Sequence, residues 1–268
     1  MKSTKTCHIS VMPQEIVQWL REVTPHVIVD GTYGGGGHSA LLLEALPADA
    51  GYVVGLDRDP AVSERVESED LDPRLNVFLG SYEQAPKALA ALELTHADAV
   101  VLDLGLSSDQ LADAKRGFSF NRGEAELDLR FDPETGASAA DWLAWNKESD
   151  IADAIYKYGE ERFSRRIARE IVTRSRNESA VKTVQDMVDV CVRCVPRSKN
   201  HDIHPATRTF QALRIVVNAE LGALERPLQA GPDGRSPGGR LAMIRVHWRE
   251  VGWVRVAGRG DPRWGVLG

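Results

Sequence analysis

Four short apolar runs in the N-terminal part of the chain constrain its fold more than any other feature. Stretches of helical character, such as residues 39–46, separate the runs, and three of the runs end at an acidic residue. Near-continuous apolar strands that alternate with helices are typical of a parallel sheet covered on both faces. The sequence therefore predicts a doubly wound α/β fold, with strands at residues 27–30, 51–57, 75–79 and 97–103.

The pattern changes after Phe120, and residues 141–196 show helical character without a strand. Strand character returns at residues 239–244. An all-helical insertion in a sheet domain explains this order. We therefore predict a first sheet segment at residues 1–115 and a second at residues 206–268. Between them, residues 116–205 are predicted to form a helical insert that serves as the substrate domain. Within the helical part, the apolar spacing predicts helices around residues 163–171, 183–195 and 206–224.

A glycine-rich loop follows the first predicted strand, in the order strand, acid, glycines and helix, from Asp30 to Ser39. This order brings a ligand against exposed backbone N–H groups and the start of a helix. Glycines allow positive φ angles and a close approach of the ligand. Asp57 ends the next strand, and its carboxylate suits the two hydroxyls of a ribose. The loop therefore predicts a site for a nucleoside-like ligand.

Two kinds of cofactor compete for this loop. A dinucleotide site prefers the pattern G-x-G-x-x-G, which fails here because a count from Gly34 ends at Ser39. S-adenosylmethionine has no phosphate and needs an acid for its ribose and partners for its charged amino-acid end. Asp57 suits the ribose, and Asp30, Asp103 or backbone groups suit the amino-acid end. S-adenosylmethionine is favoured, while another nucleotide cofactor or a turn without a ligand stays open.

Small polar residues follow the fourth predicted strand, from Asp103 to Gln110. Ligands of open α/β sheets bind beyond the carboxyl ends of the strands, so this loop and the glycine loop are expected to face one crevice. Methyl transfer to an exocyclic amine requires positioning and a hydrogen-bond acceptor for that amine. Asp103 is the candidate catalytic residue, and the alternative is that it only stabilises a turn.

Seven motifs resemble those of the small-subunit ribosomal RNA (cytosine-N4) methyltransferases of the MraW/RsmH type. They occur in the order and spacing of that family between about His8 and Leu221: GGGGHS at 34–39, GLDRDP at 55–60, DLGLSSDQ at 103–110, RGFSF at 116–120, LDLR at 127–130, YGEE at 158–161 and HPATRTFQALRIVVNAEL at 204–221. The resemblance implies a Rossmann-like class I methyltransferase with an inserted helical domain. It also implies transfer of a methyl group to N4 of a cytidine in the decoding region of 16S ribosomal RNA.

The resemblance further implies which residues contact S-adenosylmethionine. Tyr82 stands where the family usually has Phe, a change that preserves a ring for stacking on adenine. No catalytic base is fixed by the motifs, so Asp103 stays the candidate. The residues at cofactor-contacting positions are Gly36, Gly37, His38, Asp57, Tyr82, Asp103 and Gln110.

Charge is distributed unevenly along this chain, whose formal net charge is −6. Residues 157–214 carry 13 Lys and Arg against 7 Asp and Glu, and the remainder carries 20 against 32. A local basic surface for the RNA phosphates is therefore expected, with a merely solvated helical face as the alternative. Its candidates are Arg162, Arg165, Arg166, Arg169, Arg197, Lys199, Arg208 and Arg214. Phe118, Phe120 and Tyr158 are candidates for base stacking or for the core.

The cysteines indicate neither a disulfide framework nor a metal site. There are three, Cys7, Cys191 and Cys194, and a small odd number does not make a disulfide scaffold. Cys191, Cys194, His201 and His204 could supply four zinc ligands. However, Cys191 lies on a predicted apolar face, so we expect buried thiols and no metal. The sequence has neither a signal core nor a membrane-spanning apolar run, which favours the cytoplasm and excludes a membrane partner. Whether the chain forms a homodimer stays open.

The C-terminal part departs from the family pattern after Ile244. The family continues Ser-Phe-His-Ser-Leu-Glu-Asp-Arg, whereas residues 245–252 read RVHWREVG. Proline and glycine residues between 227 and 237 also interrupt an expected helix. The terminal strands are therefore in doubt. This departure supports a non-catalytic RNA-binding or assembly factor as one alternative. Methylation of another amine, in DNA or a small molecule, and a nicotinamide oxidoreductase are the others.

Overall fold

The chain folds into two compact units in a computed structural model that describes residues 12–21, 24–47, 50–113, 115–120, 123–196, 203–220, 235–247 and 250–254. One unit comprises Met1–Asp109 with Gly222–Gly268, and the other comprises Gln110–Leu221. The first contains the sheet and the second is helical. No helix among these described residues is long and apolar enough to cross a membrane.

In the described part of the first unit, six strands form one sheet in the order β3-β2-β1-β4-β5-β6. β1 to β5 run parallel to their neighbours, and β6 pairs antiparallel with β5. The predicted α/β fold with a parallel sheet is therefore confirmed. The strands are β1 Val27–Asp30, β2 Tyr52–Asp57, β3 Leu75–Leu79, β4 Ala97–Leu104, β5 Arg235–His247 and β6 Glu250–Val254.

The two C-terminal strands that the sequence left in doubt are both part of this sheet. β5 begins at Arg235, earlier than the predicted residue 239, and includes Pro237. Its register against β4 shifts between Ala97, which pairs with Arg235, and Ala99, which pairs with Arg240. Proline cannot donate a ladder hydrogen bond and is tolerated in a sheet at such irregularities. The irregularity therefore accommodates Pro237, and the interrupting residues between 227 and 234 lie outside the described residues.

Helices cover the central strands on both faces. They are α1 Pro13–Arg21, α2 Gly37–Ala45, α3 Pro60–Glu67, α4 Ala85–Ala91 and α5 Ser108–Ala112, with a 3-10 turn at Tyr82–Gln84. Ile28 packs with α1 and α2 through Leu20 and Leu42, whereas Val29 packs with Leu89 of α4. Successive strand side chains point to opposite faces, so a strand buried on both sides must be apolar throughout.

The helical unit contains α6 Ala139–Trp145, α7 Glu148–Gly159, α8 Ser164–Arg176, α9 Val184–Cys194 and α10 Thr207–Val217. A capping box starts α9, because Thr183 and Asp186 satisfy each other's backbone N–H groups. The last helix was predicted to run to residue 224, but it ends earlier, and residues 221–224 lie outside the described residues. α10 ends at Val217, and Asn218 follows as its cap. Ala219 then takes a positive φ of 48°, which does not continue a helix.

α10 packs against α7 and so belongs to the helical unit, whereas the sequence assigned its residues to the second sheet segment. The approach of the two helices is close. A Cβ atom added at Gly159 would lie 2.3 Å from the carbonyl oxygen of Arg208. The glycine of the Tyr-Gly-Glu-Glu motif therefore allows α7 and α10 to pack closely.

Candidate cofactor site

Four polar features meet at the carboxyl ends of adjacent strands. β1 ends at Asp30, β2 ends at Asp57, and β4 carries Asp103 near its end. The turn that contains Tyr82 follows β3. The chain leaves β1 toward β2 and β3 on one side and returns to β4 on the other. In such sheets this switch point is where ligands bind.

Asp30 holds the glycine loop in place and is itself inaccessible. Its side chain is completely buried. Oδ2 accepts a hydrogen bond of 2.7 Å from the Ser39 hydroxyl, and Oδ1 accepts one of 3.2 Å from the Thr32 backbone N–H. Burial raises the pKa of the Asp30 carboxyl, and these hydrogen bonds oppose the rise. The burial leaves no surface of Asp30 for a ligand, in contrast to its suggested contact with the amino-acid end of the cofactor.

The loop itself needs glycine at Gly36. This residue has a φ of 78° and precedes the first residue of α2, Gly37. A Cβ atom there would lie 2.8 Å from the Tyr33 hydroxyl oxygen. The Gly36 backbone N–H donates to the Tyr33 carbonyl at 2.8 Å, so the turn is tight. Glycine avoids both the left-handed strain and the collision.

Gly31, which the sequence reasoning did not single out, allows a second close approach. A Cβ atom there would lie 2.3 Å from Cδ2 of Leu102 and 2.6 Å from Cβ of Tyr82. Tyr82 therefore packs directly on the junction between β1 and the loop and remains partly exposed. A glycine directly after the strand-ending Asp30 was the available sequence signal.

Asp57 links the loop to the end of β2. Its Oδ2 accepts a hydrogen bond of 2.7 Å from the Gly34 N–H, and its Oδ1 accepts one of 2.9 Å from the Asp59 N–H. Burial raises the pKa of this carboxyl, and the two backbone hydrogen bonds oppose the rise. Each carboxylate oxygen has two lone pairs. Asp57 can therefore accept two further hydrogen bonds from a ligand while holding the loop.

Arg65 on α3 is a loop contact that the sequence analysis missed. Its Nη2 donates a hydrogen bond to the Gly34 carbonyl oxygen. Its Nη1 donates to Oδ2 of Asp109 at 3.2 Å, and its guanidinium carbon lies 5.9 Å from the centre of the Tyr33 ring. The ring is almost fully buried, and this burial raises the pKa of the Tyr33 hydroxyl. Arg65 thus joins the glycine loop to the loop after β4.

Asp103 is tied to the glycine loop through its backbone. Its N–H donates a hydrogen bond of 2.6 Å to Oγ1 of Thr32. Its Oδ2 lies 3.7 Å from Nδ1 of the buried His38, and the Asp103 side chain itself is 17% exposed. A carboxylate in this position can accept a hydrogen bond from a bound amine. Gln110 is the first residue of the helical unit, and its predicted cofactor contact stays a prediction.

The two cysteines considered for zinc are buried in the helical unit, whereas His204 is exposed. Cys191 and Cys194 are buried in α9, and burial raises the pKa of the Cys191 thiol to about 12. Zinc binds the thiolate, so this environment opposes coordination. His204 stacks on Phe120, with ring centres 4.9 Å apart, and His201 lies outside the described residues. Within the described ranges, no group of His, Cys, Asp and Glu side chains has the arrangement of a metal site.

The aromatic candidates for base stacking are mostly packed inside the protein. Phe118 is buried and lies 6.1 Å from Phe131 between ring centres. Phe120 packs edge-to-face on Phe210 as well as on His204. Tyr158 is partly exposed, with Nζ of its neighbour Lys157 5.1 Å from the ring centre. Phe118 therefore matches the core interpretation, whereas Phe120 packs on its neighbours and stays partly exposed.

The arginine candidates separate into two groups. Arg162, Arg165, Arg166 and Arg169 are exposed at the start and on the surface of α8. Arg214 instead pairs with both carboxylate oxygens of Glu220, at 2.8 and 3.1 Å, and is only 16% exposed. Arg208 donates to the Glu160 carbonyl oxygen at 3.1 Å. Arg197 and Lys199 lie outside the described residues.

A family profile and a curated relative indicate the same family. A protein of Rhodopirellula baltica named Ribosomal RNA small subunit methyltransferase H is 60% identical over 99% of this chain and 84% of its own length. An O-methyltransferase family protein from Burkholderia thailandensis matches 34% of this chain and 28% of its own, with 20% identity and a TM-score of 0.23, too low to bear on the fold. The sequence profile of the MraW methylase family matches residues 5–259. The chain belongs to the MraW methylase family.

Proposed function

We propose that this protein transfers a methyl group from S-adenosylmethionine to N4 of a cytidine in the decoding region of 16S ribosomal RNA. The observation that carries the proposal is its 60% identity, across nearly the whole chain, with a protein named for methylation of the small ribosomal subunit. The N4 position and the decoding region follow from the motif resemblance.

The chemistry of the loop residues fits S-adenosylmethionine better than a phosphate-bearing cofactor. The cofactor has a cationic sulfonium and no phosphate, so nearby carboxylates are favourable. Asp57 and Asp103 are such carboxylates. The cationic side chain that touches the loop, Arg65, already binds the Gly34 carbonyl and Asp109. A phosphate would have to compete with Asp109 for that guanidinium.

Each residue then has a defined task. Asp57 accepts hydrogen bonds from the ribose hydroxyls, and Tyr82 stacks on the adenine. Gly36, Gly37 and His38 allow the close approach of the cofactor, which supplies a methyl group on sulfur. Asp103 accepts a hydrogen bond from the exocyclic amine and takes the proton that the amine loses on methylation.

The helical unit is the proposed substrate domain. Its exposed arginines on α8 suit the phosphate backbone of RNA. A single base must enter the site for chemistry, so an unpaired or extruded cytidine is the expected form of the substrate. Cytoplasmic localisation and a homodimer stay predictions.

The alternative of a non-catalytic binding factor rested on the divergent C-terminal part. β5 pairs along β4 up to Leu104, and β6 pairs with β5. The described residues of the divergent segment therefore belong to the sheet, which supports an intact fold. Catalysis therefore remains the preferred proposal.

The test uses full-length protein, methyl-labelled S-adenosylmethionine and small subunits from cells that lack this modification. Labelled N4-methylcytidine in a nuclease digest is the expected product. Asp103→Asn should lower the rate at saturating cofactor by roughly a hundredfold or more, as expected for loss of a general base, a larger effect than its weakening of cofactor binding. Label on another base, or none with cofactor bound, would contradict the proposal.

A further inference from the structure

Two adjacent helices of the helical unit present arginines to solvent. Arg162, Arg165, Arg166 and Arg169 lie just before or on α8, and Arg193 lies near the end of α9. All five are exposed, Arg169 by 75% and Arg193 by 70% of the side chain. Because α8 and α9 pack against each other, we treat the five residues together as the arginine surface.

Specific contacts join the two helices within this surface. Nη2 of Arg166 donates a hydrogen bond of 3.2 Å to the Arg193 carbonyl oxygen. Nη1 of Arg193 lies 3.2 Å from Oε1 of Glu170, and Nε of Arg174 lies 3.4 Å from the same oxygen. One carboxylate therefore serves two guanidinium groups. The cluster of Arg166, Arg174, Arg193 and Glu170 keeps an excess of positive charge.

The charges in the first half of α8 are arranged against the stability of the isolated helix, whereas Arg174 and Arg176 in the last turn suit the helix dipole. Five arginines and a single acid, Glu170, occupy Ser164–Arg176. Arg165 and Arg169 are four residues apart, a spacing at which like charges repel each other. Arg165 and Arg166 also stand in the first turn, where the helix dipole disfavours cations. Local rules broken in this way are expected where a surface serves binding.

The other charged groups near the surface are already engaged. Glu148 pairs with Arg169 at 3.5 Å. Asp186 accepts the backbone N–H groups of Lys182 and Thr183, and Asp189 accepts from the Gln185 side chain. These three acids have other partners, and Arg193 pairs with Glu170.

We propose that the arginine surface binds the phosphate backbone of the substrate RNA, with Arg166 and Arg193 as its central pair and Glu170 as a restraint on affinity. This inference rests on the proposed function. It replaces the broader set of basic residues, because Arg208 is only partly exposed and Arg214 is largely buried in its pair with Glu220. Guanidinium groups suit phosphates through paired, charge-assisted hydrogen bonds. Phosphate oxygens that approach Arg193 must compete with the Glu170 carboxylate.

The test is fluorescence anisotropy of a labelled single-stranded fragment of 16S ribosomal RNA, titrated with full-length protein at several salt concentrations. Combining Arg166→Gln with Arg193→Gln should weaken binding by roughly tenfold. It should also reduce the dependence of log K on log salt by about 1.4, because each single-strand phosphate contact contributes about 0.7. Arg74→Gln, in the sheet unit and paired with Asp72, removes one positive charge elsewhere and should leave both quantities unchanged.

The Glu170→Gln variant should change the affinity for RNA in the opposite direction. It frees Arg193 and should strengthen RNA binding severalfold, a gain that misfolding cannot produce. Wild-type affinity in the double variant, or no gain with Glu170→Gln, would overturn the proposal even if the wild type methylates RNA. Equal binding of polyglutamate would indicate an acidic protein partner and would also overturn it. A wild type that binds RNA but transfers no methyl group would count against the proposed function alone.

Discussion

The backbone N–H of Asp103 donates a hydrogen bond of 2.6 Å to the side-chain oxygen of Thr32. This bond joins the end of β4 to the loop that follows β1, across the switch point of the sheet. The Thr32 hydroxyl therefore helps to hold the candidate catalytic residue in register with the glycine loop.

Thr32→Val should disturb the site more than the fold. Valine has the shape of threonine but leaves the Asp103 N–H without its acceptor, at a cost of about 1 kcal/mol in the free energy of unfolding. Methyl transfer should fall more than this loss of stability explains. Urea denaturation and the transfer rate measure the two effects. Thr32→Ser keeps the oxygen and should retain most activity; equal loss in both variants would speak against the role of the hydrogen bond.

Gly36→Ala should abolish cofactor binding. Alanine at a φ of 78° is strained by about 1–2 kcal/mol, and its Cβ would also collide with the Tyr33 hydroxyl. Gly136→Ala is a matched control, because Gly136 has a φ of 75° but open space around the added atom. Thermal denaturation should show that both variants are destabilised by the left-handed strain, Gly36→Ala more strongly because of the collision. Cofactor titration should show that binding is lost only at Gly36. Normal cofactor binding by Gly36→Ala would refute this account of the loop.

Arg65→Gln should raise the KM for the cofactor by roughly tenfold with little change in kcat. The loop loses its hydrogen bond at the Gly34 carbonyl and its link to Asp109, whereas the reacting groups are untouched. Asp109→Asn should act through the same contact. Steady-state kinetics should therefore show less than additive effects in the double variant, and Arg65→Lys should restore part of the affinity. Independent effects of the two substitutions would exclude a shared positioning role.

Asp30 should make the stability of the protein depend on pH. Burial raises the pKa of its carboxyl in the folded state. The contribution of Asp30 to the free energy of unfolding is therefore complete below its pKa in the unfolded state, about 3.9. This contribution is lost as pH rises through its pKa in the folded state. The pKa of Asp57 is raised as well, so the free energy of unfolding of Asp30→Asn should decline with pH less steeply than that of the wild type. Urea denaturation across the pH range measures the two slopes.

Asp72→Asn is the control for this slope. Hydrogen bonds from Arg74 lower the pKa of the Asp72 carboxyl to about 2, so its contribution is constant above about pH 5. A wild type and an Asp30→Asn variant with parallel pH profiles would contradict the assignment of the decline to Asp30.

The central part of the fold could be predicted because its signal is local. β1 is buried on both faces, so each of its residues before Asp30 must be apolar. The Asp30 carboxylate accepts hydrogen bonds from the Ser39 hydroxyl and the Thr32 N–H. β5 has no such signal. Its start at Arg235 and its passage through Pro237 depend on a shifted pairing with distant β4. Sequence patterns do not encode non-local register of this kind.

The candidate site divides in the same way. Asp57 and Asp103 were predicted from strand ends, which meet at one edge of a parallel sheet. Arg65 and Thr32 were missed because their partners are backbone atoms, the Gly34 carbonyl and the Asp103 N–H. Any residue type can supply those atoms, so no motif marks such contacts.

The most direct test of the central claim is calorimetric titration of S-adenosylmethionine into the wild type and Asp57→Asn. The wild type should bind one equivalent, and Asp57→Asn should bind roughly a hundredfold more weakly because two charge-assisted hydrogen bonds are impaired. Burial raises the pKa of the Asp57 carboxyl above its ordinary value, which is about 3.9. The wild-type affinity for S-adenosylmethionine should therefore also fall as pH decreases through this raised pKa. Equal affinity of the two proteins, or no binding by the wild type, would contradict the claim that this loop and Asp57 hold the methyl donor.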